Sequence, residues 1–124
     1  MSPKLLAVDD EELILELLEE ILTEDQLFQV VKQPDATKAL ELIKEEEFKL
    51  ILLDFRMPLM NGDVFVKNLR EGDSINKDTP ILFITANPEQ AQEVEENFEK
   101  IFVLIKPIDL MSLSTKVREA ITSK

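Results

Sequence analysis

The sequence predicts an α/β protein in which a five-stranded parallel sheet is doubly wound, covered on both faces by five helices, and three observations predict it. Short runs of branched apolar residues alternate with stretches of helical spacing along the whole chain, the pattern of consecutive right-handed βαβ units. The central run, Leu50-Ile51-Leu52-Leu53, is apolar at every position, as a strand covered on both faces must be. The chain has 124 residues, 44% of them hydrophobic, enough for one core with little room for a second, so residues 1–124 read as one domain.

Taken in order, Leu5-Leu6-Ala7-Val8 is the first strand and runs into Asp9-Asp10. Glu11 and Glu12 suit the positive end of a helix dipole, and Ile14, Leu17, Leu18 and Ile21 recur at helical spacing with Glu16, Glu19 and Glu20 facing away. Phe28 to Val31 is a more polar run, flanked by Lys32, Gln33 and Pro34, which fits an edge strand. Asp35 caps the next helix, whose apolar stripe is Ala36, Ala39, Leu40 and Ile43. The buried strand to Leu53 follows and ends in Asp54, after which Pro58 and Asn61-Gly62 close the turn. A helix through Val64, Phe65, Val66 and Leu69 stops near Gly72, and the polar segment from Asp73 to Thr79 reads as an exposed loop. Ile81 to Ile84 is a second buried strand, ending in Thr85-Ala86. Asn87-Pro88 starts a helix that offers only Ala91, Val94 and Phe98 to the core and is weakly held. The last strand, Ile101 to Ile105, ends in Lys106-Pro107, and the last helix carries Leu110, Leu113, Val117, Ala120 and Ile121 at helical spacing.

Composition removes several kinds of chemistry. With no Cys and no His, disulfides, thiolate nucleophiles, the usual zinc sites and Ser-His catalysis are excluded. Lys+Arg 14 against Asp+Glu 26 gives a formal charge of -12, the wrong sign for direct nucleic-acid binding. No apolar run approaches the roughly 20 residues of a membrane helix, and Met1-Ser2-Pro3-Lys4 leads straight into a strand, an arrangement without a signal peptide. A cytoplasmic protein with no membrane partner is expected.

The strand ends point to the function. Ligands in open α/β sheets bind beyond the carboxyl ends of the strands, and there this chain places Asp9, Asp10, Asp54, Thr85 and Lys106. Singly, each has a plain reading as a helix cap, a strand-end hydroxyl or a surface lysine. Jointly, carboxylates that repel one another call for a hard divalent cation with oxygen ligands, Mg²⁺ above all. An ammonium and a hydroxyl complete a pocket for a phosphoryl group.

On these motifs the chain resembles the receiver domain of two-component response regulators, of the single-domain, chemotaxis-regulator-like kind, from Lys4 to about Thr122. The resemblance implies a flavodoxin-like sheet in the order 2-1-3-4-5, with Asp54 as phosphoacceptor and a histidine kinase or histidine phosphotransfer protein as donor. It implies that Asp9, Asp10, Asp54 and the backbone carbonyl of Arg56 hold Mg²⁺, with Mn²⁺ an alternative. Thr85 becomes the switch hydroxyl and Lys106 the phosphate-binding lysine. Ala86, Arg56 and Pro107 adjoin that pocket, Pro107 through a cis peptide bond. Such a domain is no enzyme toward other molecules, since it catalyses only its own phosphorylation and dephosphorylation. One departure stands out: family members carry Tyr or Phe three residues before the lysine, and this chain has Val103, with Phe102 on the opposite face of the strand. Arg56 and Asn87, each two residues past a site residue, are placed to shield an acyl phosphate from water. The apolar last strand, at an expected sheet edge, suggests a phosphorylation-enhanced homodimer.

Two rival readings belong to other classes. An aspartyl-phosphate phosphatase of the haloacid dehalogenase type needs a second Asp two residues after the nucleophile, where this chain has Arg56. A phosphate-independent pseudo-receiver, acting purely as an interaction module, is expected to lack the lysine or one of the acids, and all are present.

Overall fold

The computed structural model describes residues 2–24 and 27–123. Strands β1 (Lys4–Val8), β2 (Gln29–Gln33), β3 (Leu50–Asp54), β4 (Ile81–Thr85) and β5 (Ile101–Ile105) alternate with helices α1 (Glu12–Thr23), α2 (Ala36–Glu45), α3 (Gly62–Glu71), α4 (Glu89–Asn97) and α5 (Leu110–Thr122). All pairings are parallel, in the order β2-β1-β3-β4-β5. Two chain crossings therefore leave the middle of the sheet in opposite directions, and the ends of β1 and β3 face each other across the crevice that results.

Strand side chains alternate between two cores. Leu6, Val8, Ile51, Leu53, Ile81 and Phe83 face α2, α3 and α4, while Leu5, Ala7, Leu50, Leu52, Leu82 and Ile84 face α1 and α5. Every residue of β3 and β4 is buried. β2 and β5 are the edges and are only partly covered, as the polar and mixed character of β2 requires. Asp35 accepts from the Thr37 and Lys38 backbone N–H groups and so caps α2. Gly62 is needed for close approach, because a Cβ there would lie 2.4 Å from Phe83 Cε1. Its N–H donates to the Phe55 carbonyl at 2.7 Å, drawing α3 tight against the end of β3.

Three expectations are corrected. In α1 the buried face is Leu15, Leu18 and Leu22, with Ile14 and Ile21 only at its margin, a stripe rotated from the one expected. Val64 and Leu110 are 46% and 51% exposed and take no part in the core of their helices. The segment from Asp73 to Thr79 is not uniformly exposed, for Asn76 and Thr79 are buried. Asn76 donates to the carbonyls of Ile43 and Glu46, both at 2.7 Å, and accepts the Phe48 N–H at 2.8 Å. No helix among the described residues is long and apolar enough to cross a membrane.

Candidate functional site

The site is built at the carboxyl ends of the four strands β1, β3, β4 and β5. Strand parity sorts its groups: Asp9, Asp54 and Lys106 continue the rows facing α1 and α5, while Thr85 continues the row facing α3 and α4. The sheet holds them in place. The Asp9 N–H donates to the Gln33 carbonyl and the Lys106 N–H to the Thr85 carbonyl, at 3.4 and 2.9 Å, each extending a strand pairing by one residue. The peptide bond from Lys106 to Pro107 is cis.

Asp9, Asp10 and Asp54 each offer a carboxylate oxygen to one cluster in which those atoms lie within 4.8 Å of one another. Asp10 is exposed, whereas Asp9 and Asp54 are 2% and 9% exposed. Lys106 Nζ stands 4.0 Å from Asp54 Oδ1. The cleft above is lined by Asp10, Glu11, Asp54, Arg56, Thr85, Ala86, Asn87, Gln90 and Lys106. Asp9 lies beneath it, and Pro107 is not part of the lining, so its place beside the site comes only from its bond to Lys106.

Burial pushes the Asp9 carboxyl up from 3.8 to about 6, against the Glu11 N–H bonded to it at 2.9 Å, and the Asp54 and Glu11 charges push the same way. Asp54 is likewise raised, first by burial and then by Asp10 and Glu11, against the Lys106 ammonium and the Arg56 N–H. The mutual repulsion expected from the sequence contributes to both shifts. Desolvation is the larger cause, because both groups sit below the rim. An oxygen-only donor set of this kind, electron-rich and short of counter-charge, fits a hard divalent cation.

Thr85 and Arg56 are engaged in a way the sequence did not reveal. The Thr85 hydroxyl accepts the Asn87 N–H at 3.1 Å and lies 3.2 Å from the Asn87 carbonyl. Arginine carries only donors, so the Gln90 carboxamide turns its oxygen to Arg56, accepting from Nε at 2.7 Å and Nη2 at 3.1 Å, and its nitrogen to the Thr85 hydroxyl at 3.3 Å. Gln90 and Glu11 were missed as site residues. The available signal was position, since both open a helix just beyond a strand end. Val103 packs against the core under α3 and α4 and Phe102 against the other core, so the two do lie on opposite faces.

An α/β domain with an acidic rim, a lysine and a hydroxyl at its strand ends is the class of protein that fold and site define. The sequence matches the response regulator receiver domain family over residues 5–118, and the chain belongs to that family. It is 38% identical over 95 residues to the transcriptional regulatory protein SrrA of Staphylococcus aureus, an alignment covering 77% of this chain and 37% of that protein. The chain thus spans little more than a third of the curated relatives it matches. Among solved structures, the chemotaxis response regulator CheY4 of Vibrio cholerae superposes with a TM-score of 0.85 at 32% identity, covering 97% of this chain and 99% of that one. The receiver domain of sensor histidine kinase PA1611 from Pseudomonas aeruginosa, with a magnesium ion in its active-site cleft, shares the fold at TM-score 0.85 and 22% identity, over 99% of this chain and 100% of that one.

Proposed function

We propose that this chain is the phosphoacceptor of a two-component signalling pathway, acting in the cytoplasm, with Asp54 as the residue modified. The observation that carries the reading is the convergence of Asp9, Asp10 and Asp54 on one cluster with Lys106 Nζ 4.0 Å from Asp54. In the transfer, an Asp54 carboxylate oxygen forms a bond to phosphorus as the bond from phosphorus to the imidazole nitrogen of a kinase or phosphotransfer histidine breaks. Asp9, Asp10, Asp54 and the Arg56 carbonyl would hold Mg²⁺, or Mn²⁺ in its place, which supplies positive charge for the phosphoryl oxygens. Lys106 takes a further phosphoryl oxygen, and the Thr85 hydroxyl and backbone N–H groups from Ala86 and Arg56 complete the cradle. Hydrolysis of the acyl phosphate returns the aspartate, and the chain has no other substrate.

The outcome is a changed surface around α4, β5 and α5. Ile105, Leu110 and Met111 are 53%, 51% and 79% exposed beside the open β5 edge, which supports a homodimer through this face in the phosphorylated state.

Acetyl phosphate with Mg²⁺ should add one phosphoryl group to the intact mass, and Asp54→Asn should abolish the gain. Labelling that survives in Asp54→Asn would mean a different acceptor. No labelling of the wild type would favour the pseudo-receiver reading.

A further inference from the structure

The first turn of α4 has no side-chain cap from Pro88, and the helix buries only Ala91 and Val94. What ties that turn to the site is side-chain bonding: Asn87 closes on the Thr85 hydroxyl, and Gln90 joins Thr85 to Arg56 through the two ends of one carboxamide. The Thr85 hydroxyl is therefore occupied by the entry to α4. β5 offers no substitute partner, because Val103, which pairs in register with Phe83 of β4, carries no polar side-chain atom.

We propose that Gln90 is a positioning residue that latches the unmodified state and reports phosphorylation to α4. This rests on the phosphoacceptor reading of Asp54. While Asp54 is free, the Gln90 carboxamide holds the Thr85 hydroxyl and the Arg56 guanidinium against the first turn of α4. A phosphoryl group on Asp54 competes for both. Its anionic oxygens accept the guanidinium N–H groups in place of the Gln90 oxygen and the hydroxyl proton in place of the Asn87 carbonyl, as charge-assisted bonds stronger than those to neutral amides, and the hydroxyl that turns toward them leaves the Gln90 nitrogen. The two ends of the latch then open in one event, and a helix held by few apolar contacts loses the Gln90 bonds that tie its first turn to the site.

The test uses beryllium fluoride with Mg²⁺ as a phosphoryl mimic, titrated by calorimetry because the chain has no Trp or Tyr to follow by fluorescence. Gln90→Met keeps the length and bulk of the side chain and removes all three bonds. It should bind the mimic about three- to tenfold more tightly than wild type, the net worth of about one hydrogen bond. Because part of the effect runs through the hydroxyl, the gain should be smaller in a Thr85→Val background, a coupling that a purely structural role for Gln90 would not produce. Unchanged or weaker binding in Gln90→Met, or an equal or larger gain in Thr85→Val, overturns the latch. Wild-type protein that takes up neither the mimic nor a phosphoryl group overturns the phosphoacceptor reading and the latch with it. A wild type that binds the mimic while Gln90→Met matches it overturns the latch alone.

Discussion

The two ends of the sheet treat buried polar groups in opposite ways. Where the strands begin, buried polar groups neutralise one another: Asn76 joins Ile43, Glu46, Phe48 and Thr79. Arg70 donates to the carbonyls of Lys77, Thr79, Glu99 and Lys100. Where the strands end, Asp9 and Asp54 are buried beside Asp10, with Lys106 as the nearby cation. Hydrogen bonding is not the difference, since no buried side-chain polar atom among the described residues lacks a partner. Charge is. One end is complete without a ligand and fixes the fold, and the other has an excess of negative charge that a bound cation would offset.

The largest expected effect lies at the closed end. Asn76→Ala leaves the Phe48 N–H and the Ile43 and Glu46 carbonyls without their partner, and urea denaturation should show a loss of about 3 kcal/mol. A loss below about 0.5 kcal/mol, the level of an ordinary surface substitution, would show that water replaces the side chain and that this end is no more fixed than the other.

Next is the pH dependence of the open end without metal. The Asp9 carboxyl lies at about 6 in the folded chain against 3.8 as its reference value. Between these values the folded form holds a proton that the unfolded form has released, so stability falls as pH rises through the window and the full cost stands at neutral pH. Asp9→Asn keeps an acceptor for the Glu11 N–H and removes the charge. In EDTA it should be more stable than wild type at neutral pH by on the order of 1 kcal/mol, allowing for solvent screening. The gain should vanish as pH falls toward about 4. A gain that is independent of pH would place its origin elsewhere.

The smallest effect is at Leu59, in the loop after Asp54, which has φ 71° and is 92% exposed. A leucine in the left-handed region costs about 1 kcal/mol that Asn or Gly largely avoids. Leu59→Asn should raise the melting temperature by a few degrees. No rise would mean that the loop relaxes freely and that strain is not stored beside Asp54.

Much of this was legible in the sequence. β3 and β4 announce themselves as apolar runs without periodicity, and their terminal Asp54 and Thr85 point to a site once they are read together with Asp9, Asp10 and Lys106. α1 did not yield its buried face, because Leu13, Ile14, Leu15, Leu17, Leu18, Ile21 and Leu22 wrap most of the helix and only the angle at which it meets the sheet selects Leu15, Leu18 and Leu22. Asn76 looked like loop surface because polarity was read as exposure, whereas a carboxamide can be buried when the carbonyls at a helix end and the N–H of the loop after it need a partner. For Gln90, position at a helix start beyond a strand end was the available signal, and what it bonds was hidden for a related reason. Its role depends on Arg56, far away in the chain, and on Thr85, from another element, and no local spacing reports such a meeting.

The central claim is that three carboxylates share one place that a cation completes, and thermal melts of wild type and Asp54→Ala, each in EDTA and in Mg²⁺, test it most directly. In EDTA, Asp54→Ala should melt above wild type, because it deletes a buried charge from a crowded site. With an affinity of order 1 mM, about 10 mM Mg²⁺ should stabilise wild type by roughly 1.4 kcal/mol. That shift should largely disappear in Asp54→Ala, which lacks one of the ligands. Equal Mg²⁺ shifts in the two proteins, or a lower melting temperature for Asp54→Ala in EDTA, would contradict the shared site.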